Sequence, residues 1–455
     1  MAKGEFYHAL KIEKDKCIGC VHCIRVCPTQ ALRVIGGKAT LFGRRCVDCG
    51  ECMRACPVDA ITVAEDDFNR IFDYRIRIAI IPAVIYGQFS KRHSHQKITE
   101  SLKNIGFTHI YEAERSIPVI IRRFKSVIES DSQPRPLISS FCPAIVRLIQ
   151  VRFPSLTGNI AKVKPPVDLT AIMVREQLRK VGWADEEVGI FYVTPCAAKI
   201  AAVKSPVGED LSYVDGVINL NSLYNRMYPE LKGMKDVRQK KNRMLRPEEL
   251  LWSLTRGESI HQSGRVLAVD GIQNAIDILE KIEDDEVRNL DFLELRACDE
   301  GCAGGVLNVE NHFLAVERLT RKARITTEEE YHKDNWSEND WLFLEKKSGI
   351  GEINPRPILS LDDDLKAALG KLDRKRRILK ILPMVDCGVC GSPDCDTFAE
   401  DIIQGRALLE KCVFFCNGDD SEGGEPCLHK GMISTWTAGK IKDINNIADE
   451  IKGTD

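Results

Sequence analysis

The chain has 455 residues, 44% of them hydrophobic, and a formal net charge of −2. This length reads as two or three domains, and the near-neutral charge gives no reason to expect nucleic acid or an anionic membrane as a bulk partner. The start, MAKGEFYHALKIEKDK, is too charged for a signal peptide. The longest apolar run, IRIAIIPAVIYG, is broken by Arg77 and Pro82, well short of the roughly 20 residues that span a bilayer. A cytoplasmic protein with no membrane span is expected. Cysteine is the outlier, at 18 residues. In a long chain without an export signal, metal ligation is a better reading of so many thiols than disulfides.

The first cysteines read CIGCVHCIRVCP, with Cys17, Cys20, Cys23 and Cys27. A repeat follows as CVDCGECMRACP, with Cys46, Cys49, Cys52 and Cys56. Both match the run of two-cluster ferredoxins, in which the fourth cysteine serves the other cluster. Cys17, Cys20, Cys23 and Cys56 are thus assigned to one [4Fe–4S] cubane, and Cys46, Cys49, Cys52 and Cys27 to its partner. Paired zinc knuckles would leave the trailing Cys-Pro of each run unexplained. Residues 10 to 65 resemble a dicluster ferredoxin domain, an α+β unit placed at residues 1–75.

The next domain, at residues 76–324, alternates strand and helix. RIAIIPAVI, EVGIFYV and RVLAVDG read as apolar strands and IQNAIDILEKIEDDEV as a helix, a mostly parallel α/β pattern. Its four cysteines each sit at a strand end. Cys142 lies in PLISSFCPAIVRLI, where Pro143 opens a helix at a tolerated first-turn position. Cys196 follows a strand in VGIFYVTPCAAK, and Cys298 and Cys302 follow another in FLELRACDEGCAGG. Ligands collect at such carboxyl ends of strands in open α/β sheets. Scattered buried cysteines are the plainer alternative. His93 and His95 in KRHSHQ read as loop surface. No glycine loop that would cradle a phosphate is found, so a nucleotide site is not expected.

Residues 325–370 turn polar and read as a linker or cap. The final domain, 371–455, carries Cys387, Cys390, Cys395 and Cys412 in a C-x2-C-x4-C-x16-C pattern. Phe398, Ile402, Ile403 and Leu408 recur at helical spacing between the last two. A small helical domain around one more [4Fe–4S] cluster is expected, with zinc as the alternative that the ligand set leaves open. The spacing is similar to small iron–sulfur domains of redox membrane complexes and corrinoid proteins. Cys416 and Cys427 read as spare thiols, and the basic runs KDVRQKKNR and LDRKRRILK as solvated faces.

Three stretches now stand together: Ser139-Ser140-Phe141-Cys142-Pro143, Thr194-Pro195-Cys196-Ala197-Ala198-Lys199, and Glu294 to Gly305. In order and internal spacing they resemble the three signatures of the [FeFe]-hydrogenase catalytic-subunit family, T-S-C-C-P, M-P-C-x-x-K and E-x-M-x-C-x-x-G-C-x-x-G-G, over residues 76 to 320. The resemblance implies a catalytic domain of two mostly parallel sheet lobes. It also implies an H-cluster, a [4Fe–4S] cubane on Cys142, Cys196, Cys298 and Cys302 that is bridged through Cys302 to a di-iron unit bearing CO and cyanide. Lys199 would donate to a cyanide, and Gly304 and Gly305 would leave room for the larger group. Three positions depart from the family. Phe141 stands where a cysteine relays protons, and Thr194 and Arg296 stand where methionines are usual. Glu112 and Glu114 are the nearest candidates for the glutamates of the family's proton path.

A phenyl ring carries no transferable proton, and losing a positioned relay costs roughly 10²–10⁴-fold in rate. The resemblance therefore implies a low-activity or sensory hydrogenase interconverting H2 with protons and electrons, like the sensory members that lack the relay cysteine. The alternative is an electron-transfer, cluster-assembly or relay protein that binds only a plain cubane at the same site. Implied partners are ferredoxin or another redox protein, a signalling or oxidoreductase subunit, and the hydrogenase maturation enzymes.

Overall fold

The computed structural model describes residues 6–90, 92–130, 133–235, 244–328, 331, 336–356, 361–362 and 364–414. Cys416, Cys427 and all of KDVRQKKNR but its first residue lie outside them. The chain divides into two compact units. One comprises Met1–Lys11, Val47–Gly50 and Val63–Arg356, the other Ile12–Cys46, Glu51–Thr62 and Pro357–Asp455. Among the described residues no helix is long and apolar enough to cross a membrane.

The first unit contains two parallel sheets. In one, strand Ile76–Ile81 lies between His109–Glu112 and Val188–Thr194, and Gly216–Asn219 completes the sheet beside Val188–Thr194. Every residue of Val188–Thr194 is buried. A parallel strand covered on both faces needs such an unbroken apolar run rather than an alternating one. In the other sheet Phe292–Leu295 is central, flanked by Val266–Val269 and Leu137–Ile138. Helix Ile272–Glu283 buries Ile272, Ala275, Ile276 and Leu279, the i, i+3, i+4, i+7 stripe of an amphipathic helix. Helix Pro143–Arg152 opens on its proline and is buried from Ala144 to Val151, so it is a core helix of this lobe.

Two expectations change. His95 is not on a surface loop: it begins the helix His95–Asn104, capped by the Ser94 side chain, and is buried. Its ring stacks on Tyr86 at 4.3 Å and its Nε2 lies 3.1 Å from Glu112. The polar segment after residue 325 includes the helix Glu338–Lys347, whose Ser337 and Asp340 form a reciprocal cap. That helix packs on Ile117–Ser130 and Pro166–Lys180.

The second unit joins the two ends of the sequence. From the N-terminal part come short helices His22–Arg25 and Glu51–Arg54 and the antiparallel hairpin Leu32–Ile35/Lys38–Leu41. From the C-terminal part come helices Leu365–Ile381 and Cys395–Ile403, packed around Ile378, Leu382, Phe398 and Ala399. Phe398, Ile402 and Ile403 are buried as their spacing predicts, but Leu408 lies beyond the helix end and is 64% exposed. Gly405, at φ 68°, follows the helix and turns the chain away before Leu408 is reached.

Candidate metal centre

In the second unit, Cys17, Cys20, Cys23 and Cys56 line one hollow with Ile18, Val34 and Ile61. Backbone amides point at the sulfurs: Ala39 N–H donates to Cys17 Sγ at 3.3 Å and Ala60 N–H to Cys56 Sγ at 3.2 Å. Such donors suit a thiolate that carries negative charge toward iron. Burial, with Cys20 and Cys17 close by, pushes the Cys23 thiol up to about 11. A thiol held up in this way, as Cys23 is, ionises only when a cation sits beside it, as a cluster's iron does. In the companion run, Cys27 Sγ accepts from Ala31 N–H at 3.1 Å, Cys46 and Cys52 are buried, and Cys49 is half-buried. At the C-terminal end, burial pushes Cys412 up to about 11, with Cys390, Cys395 and Cys387 adding to it. Cys387, Cys390 and Cys395 thus lie close enough to Cys412 to act on its thiol.

The first unit brings the other four cysteines to the carboxyl ends of both sheets. Cys196 follows Val188–Thr194, Cys142 follows Leu137–Ile138, and Cys298 and Cys302 follow Phe292–Leu295. Thr194 fixes the first of these turns: its hydroxyl donates to Cys196 O at 3.0 Å and accepts from Cys196 N–H at 3.3 Å. Cys302 N–H donates to Ser253 O at 2.8 Å, and Leu307 N–H to Pro195 O at 3.0 Å, so the loops of Cys196 and Cys302 are tied together. Cys142, Cys196, Cys298, Cys302 and Lys199 are each half-buried. Burial pushes Cys196 up to about 12, Cys302 and Cys142 adding to it. Four thiols brought to strand ends beside the cation of Lys199 fit an anionic, thiolate-held cubane, which Cys142, Cys196, Cys298 and Cys302 would hold.

Two of the departures from the family pattern, Phe141 and Arg296, are packed together with Lys199. The Phe141 ring is 6% exposed and has two cations over it, Lys199 Nζ at 4.2 Å and the Arg296 guanidinium at 4.3 Å from its centre. Arg296 is buried and held by two carboxylates, with Nη1 2.6 Å from Glu258 and Nη2 3.3 Å from Glu294. Ser139 Oγ donates to Glu258 at 2.7 Å, and the Glu258 and Ser259 amides donate to Glu294. Phe141 and Arg296 are larger than the cysteine and methionine of the family signature, and Phe141 belongs to the cluster that packs against Cys302, so the fit of a di-iron unit is poorer than that of a cubane.

Gly304 and Gly305 do not make room for a cofactor in the expected way. A Cβ on Gly304 would meet Asp299 O at 2.1 Å, and one on Gly305 would meet Pro195 O at 2.4 Å. Close backbone approach requires these glycines.

Among the described residues Lys199 makes no carboxylate hydrogen bond. Burial works against its charge, but Cys302, Tyr192, Cys196 and Glu114 outweigh it and hold the ammonium well above its ordinary value. Glu112 and Glu114 are both buried. Glu112 accepts from Tyr86 at 2.8 Å and Arg115 at 2.8 Å; burial would raise its carboxyl, but Arg115 and His95 hold it well below the usual range. Glu114 accepts from Ala83 N–H at 2.9 Å and is pushed up to about 8 by burial, despite Lys199. The sequence left Glu258 unnoticed, because a lone glutamate in RGESIHQSG looks like any solvated one.

Three family models match the chain. "Iron only hydrogenase large subunit, C-terminal domain" covers residues 75–246 and 227–306, just over half of the sequence. "4Fe-4S dicluster domain" covers 16–61, and "Putative Fe-S cluster" covers 382–414. No curated protein matches. Among solved structures, one describing stepwise H-cluster assembly in the [FeFe]-hydrogenase HydA(deltaEFG) is similar at 14% identity, over 64% of this chain and 96% of that one, with a TM-score of 0.47. Two variants of HydA1 from Chlamydomonas reinhardtii are similar at 14% and 15% identity, over 65% and 64% of this chain and 97% and 96% of theirs, with TM-scores of 0.44 and 0.45. The cysteine-rich modules around a parallel α/β domain define an iron–sulfur protein. The chain belongs to the [FeFe]-hydrogenase large-subunit family.

Proposed function

We propose that this chain is a one-electron redox protein that keeps the hydrogenase framework but has little or no hydrogen turnover. Its four clusters are two cubanes on the N-terminal run, one on Cys387, Cys390, Cys395 and Cys412, and one on Cys142, Cys196, Cys298 and Cys302. A bound cubane supplies one electron at a time. The chain's residues exclude water from the site and set its charge, with Lys199 and Arg296 favouring an anionic cluster in a medium of low dielectric. The observation that carries this reading is the packing of Phe141 against Lys199 and Arg296. It places a ring and a guanidinium where the family has a thiol and a methionine, and it engages the lysine that would otherwise face a cyanide.

A second reading is a low-activity or sensory hydrogenase with a di-iron unit at Cys302. It is favoured by Lys199 itself, a cation that makes no carboxylate hydrogen bond among the described residues and that a cyanide would satisfy. Infrared spectroscopy on protein produced with the hydrogenase maturation enzymes separates the two. The first reading expects iron for four cubanes and no CO or cyanide stretches; those stretches in the matured protein would overturn it in favour of the second.

A further inference from the structure

The C-terminal cysteine loop and the first ferredoxin loop, some 360 positions apart in sequence, belong to one unit and touch through residues beside their cysteines. Arg25, two residues after Cys23, donates through Nη2 to the carbonyl of Cys387 at 2.8 Å. Val34, which lines the hollow of Cys17, Cys20, Cys23 and Cys56, donates its N–H to the carbonyl of Gly391, next to Cys390, at 2.8 Å. A Cβ on Gly391 would meet Val34 O at 2.1 Å, and one on Gly388 would meet Ile24 Cδ1 at 3.6 Å. Around these contacts the surfaces are locked by buried polar groups. Arg33 grips both Asp401 oxygens, Arg45 pairs with Glu400, and Gln30 donates to Asp394 at 2.6 Å. The side chains of Arg33 and Asp401 are each 4% exposed, which is the burial of a permanent interface.

From this joint we propose that the Cys387/Cys390/Cys395/Cys412 site and the Cys17/Cys20/Cys23/Cys56 site form one electron-exchange pair. The C-terminal cluster thereby extends the ferredoxin domain. The inference rests on the reading that both sites hold [4Fe–4S] clusters. In the exchange, one reduced cluster gives up one electron and its oxidised neighbour takes it, with no bond made or broken. The loops that hold them meet through single residues, Ile24 and Val34, so no further protein layer separates the two sites.

The test is electron paramagnetic resonance of the dithionite-reduced protein, with metal analysis of the same samples. Cys390→Ser/Cys395→Ser is expected to lose about four irons. The lineshape and power saturation of the remaining reduced clusters then change, because a neighbouring spin has gone. Gly391→Val keeps its iron and loses the same interaction. If it sheds iron, Arg25→Ala, which leaves both cysteine loops intact, takes its place and is expected to weaken the interaction. Loss of the irons with the remaining spectrum unaltered would overturn the pairing. Unchanged iron, or loss of zinc instead, would overturn the cluster assignment on which the pairing rests.

Discussion

Replacing Phe141 by cysteine restores the thiol that the family signature carries and removes the ring that two cations, Lys199 and Arg296, both contact. The ring is nearly fully buried among Phe124, Leu137, Trp252 and Phe292. Truncation to a small side chain in such a setting costs about 2–4 kcal/mol from lost packing and the cavity left behind. Two cation–π contacts, at 4.2 and 4.3 Å, are lost with it, worth about 1 kcal/mol each in a desolvated site. A total loss of about 4–6 kcal/mol corresponds to a fall in melting temperature on the order of 8–24 °C, at about 2–4 °C per kcal/mol. Calorimetry of the cluster-loaded protein measures it. Hydrogen evolution is expected to rise far less than the ~10²-fold that one acid–base group can contribute, because Arg296 still occupies the neighbouring position. A loss below about 1 kcal/mol would refute the account of the ring as packed against two cations. A gain of about 10²-fold in hydrogen evolution would refute the low-turnover reading and make Phe141 the sole bottleneck.

Further outcomes follow from other sites. Asp401→Ala removes the carboxylate gripped by Arg33, Arg406 and Ser392. It should destabilise the second unit by about 3–5 kcal/mol in urea unfolding, since it leaves the buried Arg33 without its carboxylate. Glu114, raised from 4.5 to about 8 by burial, binds its proton more tightly folded than unfolded, so its contribution to stability is lost as pH rises from 4.5 toward 8. Glu114→Gln, which can still accept from Ala83, should remove up to about 3 kcal/mol of that pH dependence, and an unfolding series from pH 5 to pH 8 with the same slope in both proteins would count against it. Gly305→Ala should prevent the loops of Cys196 and Cys302 from closing, read as loss of about four irons from the loaded protein while the ferredoxin signals remain. Cys387→Ser/Cys390→Ser should likewise lose about four irons and no zinc, and release of one zinc with iron unchanged would assign that site to zinc.

Much of this protein is written in short-range spacing. Ligand intervals such as C-x2-C-x2-C-x3-C-P place four sulfurs within one local wrap of backbone, so the ferredoxin run was legible without any fold. The apolar run EVGIFYV and the stripe of Ile272, Ala275, Ile276 and Leu279 announced a doubly covered strand and an amphipathic helix, because burial on two faces or on one imposes those periods. Strand-end cysteines marked where Cys142, Cys196, Cys298 and Cys302 would collect. Tertiary structure decided what no interval encodes. Gly304 and Gly305 read as room for a cofactor, but carbonyls of Asp299 and Pro195 fill the space their side chains would take. His95 read as surface and Glu258 carried no signal, yet both are buried, because the partners that make their burial tolerable, Glu112 for one and Arg296 and Ser139 for the other, come from distant strands and loops. Arg296 read only as a missing methionine. Its role as one of two cations over the Phe141 ring depends on Lys199 and Phe141 arriving from two other strand ends, and the energy of a buried charge is set by such neighbours and not by its own place in the chain.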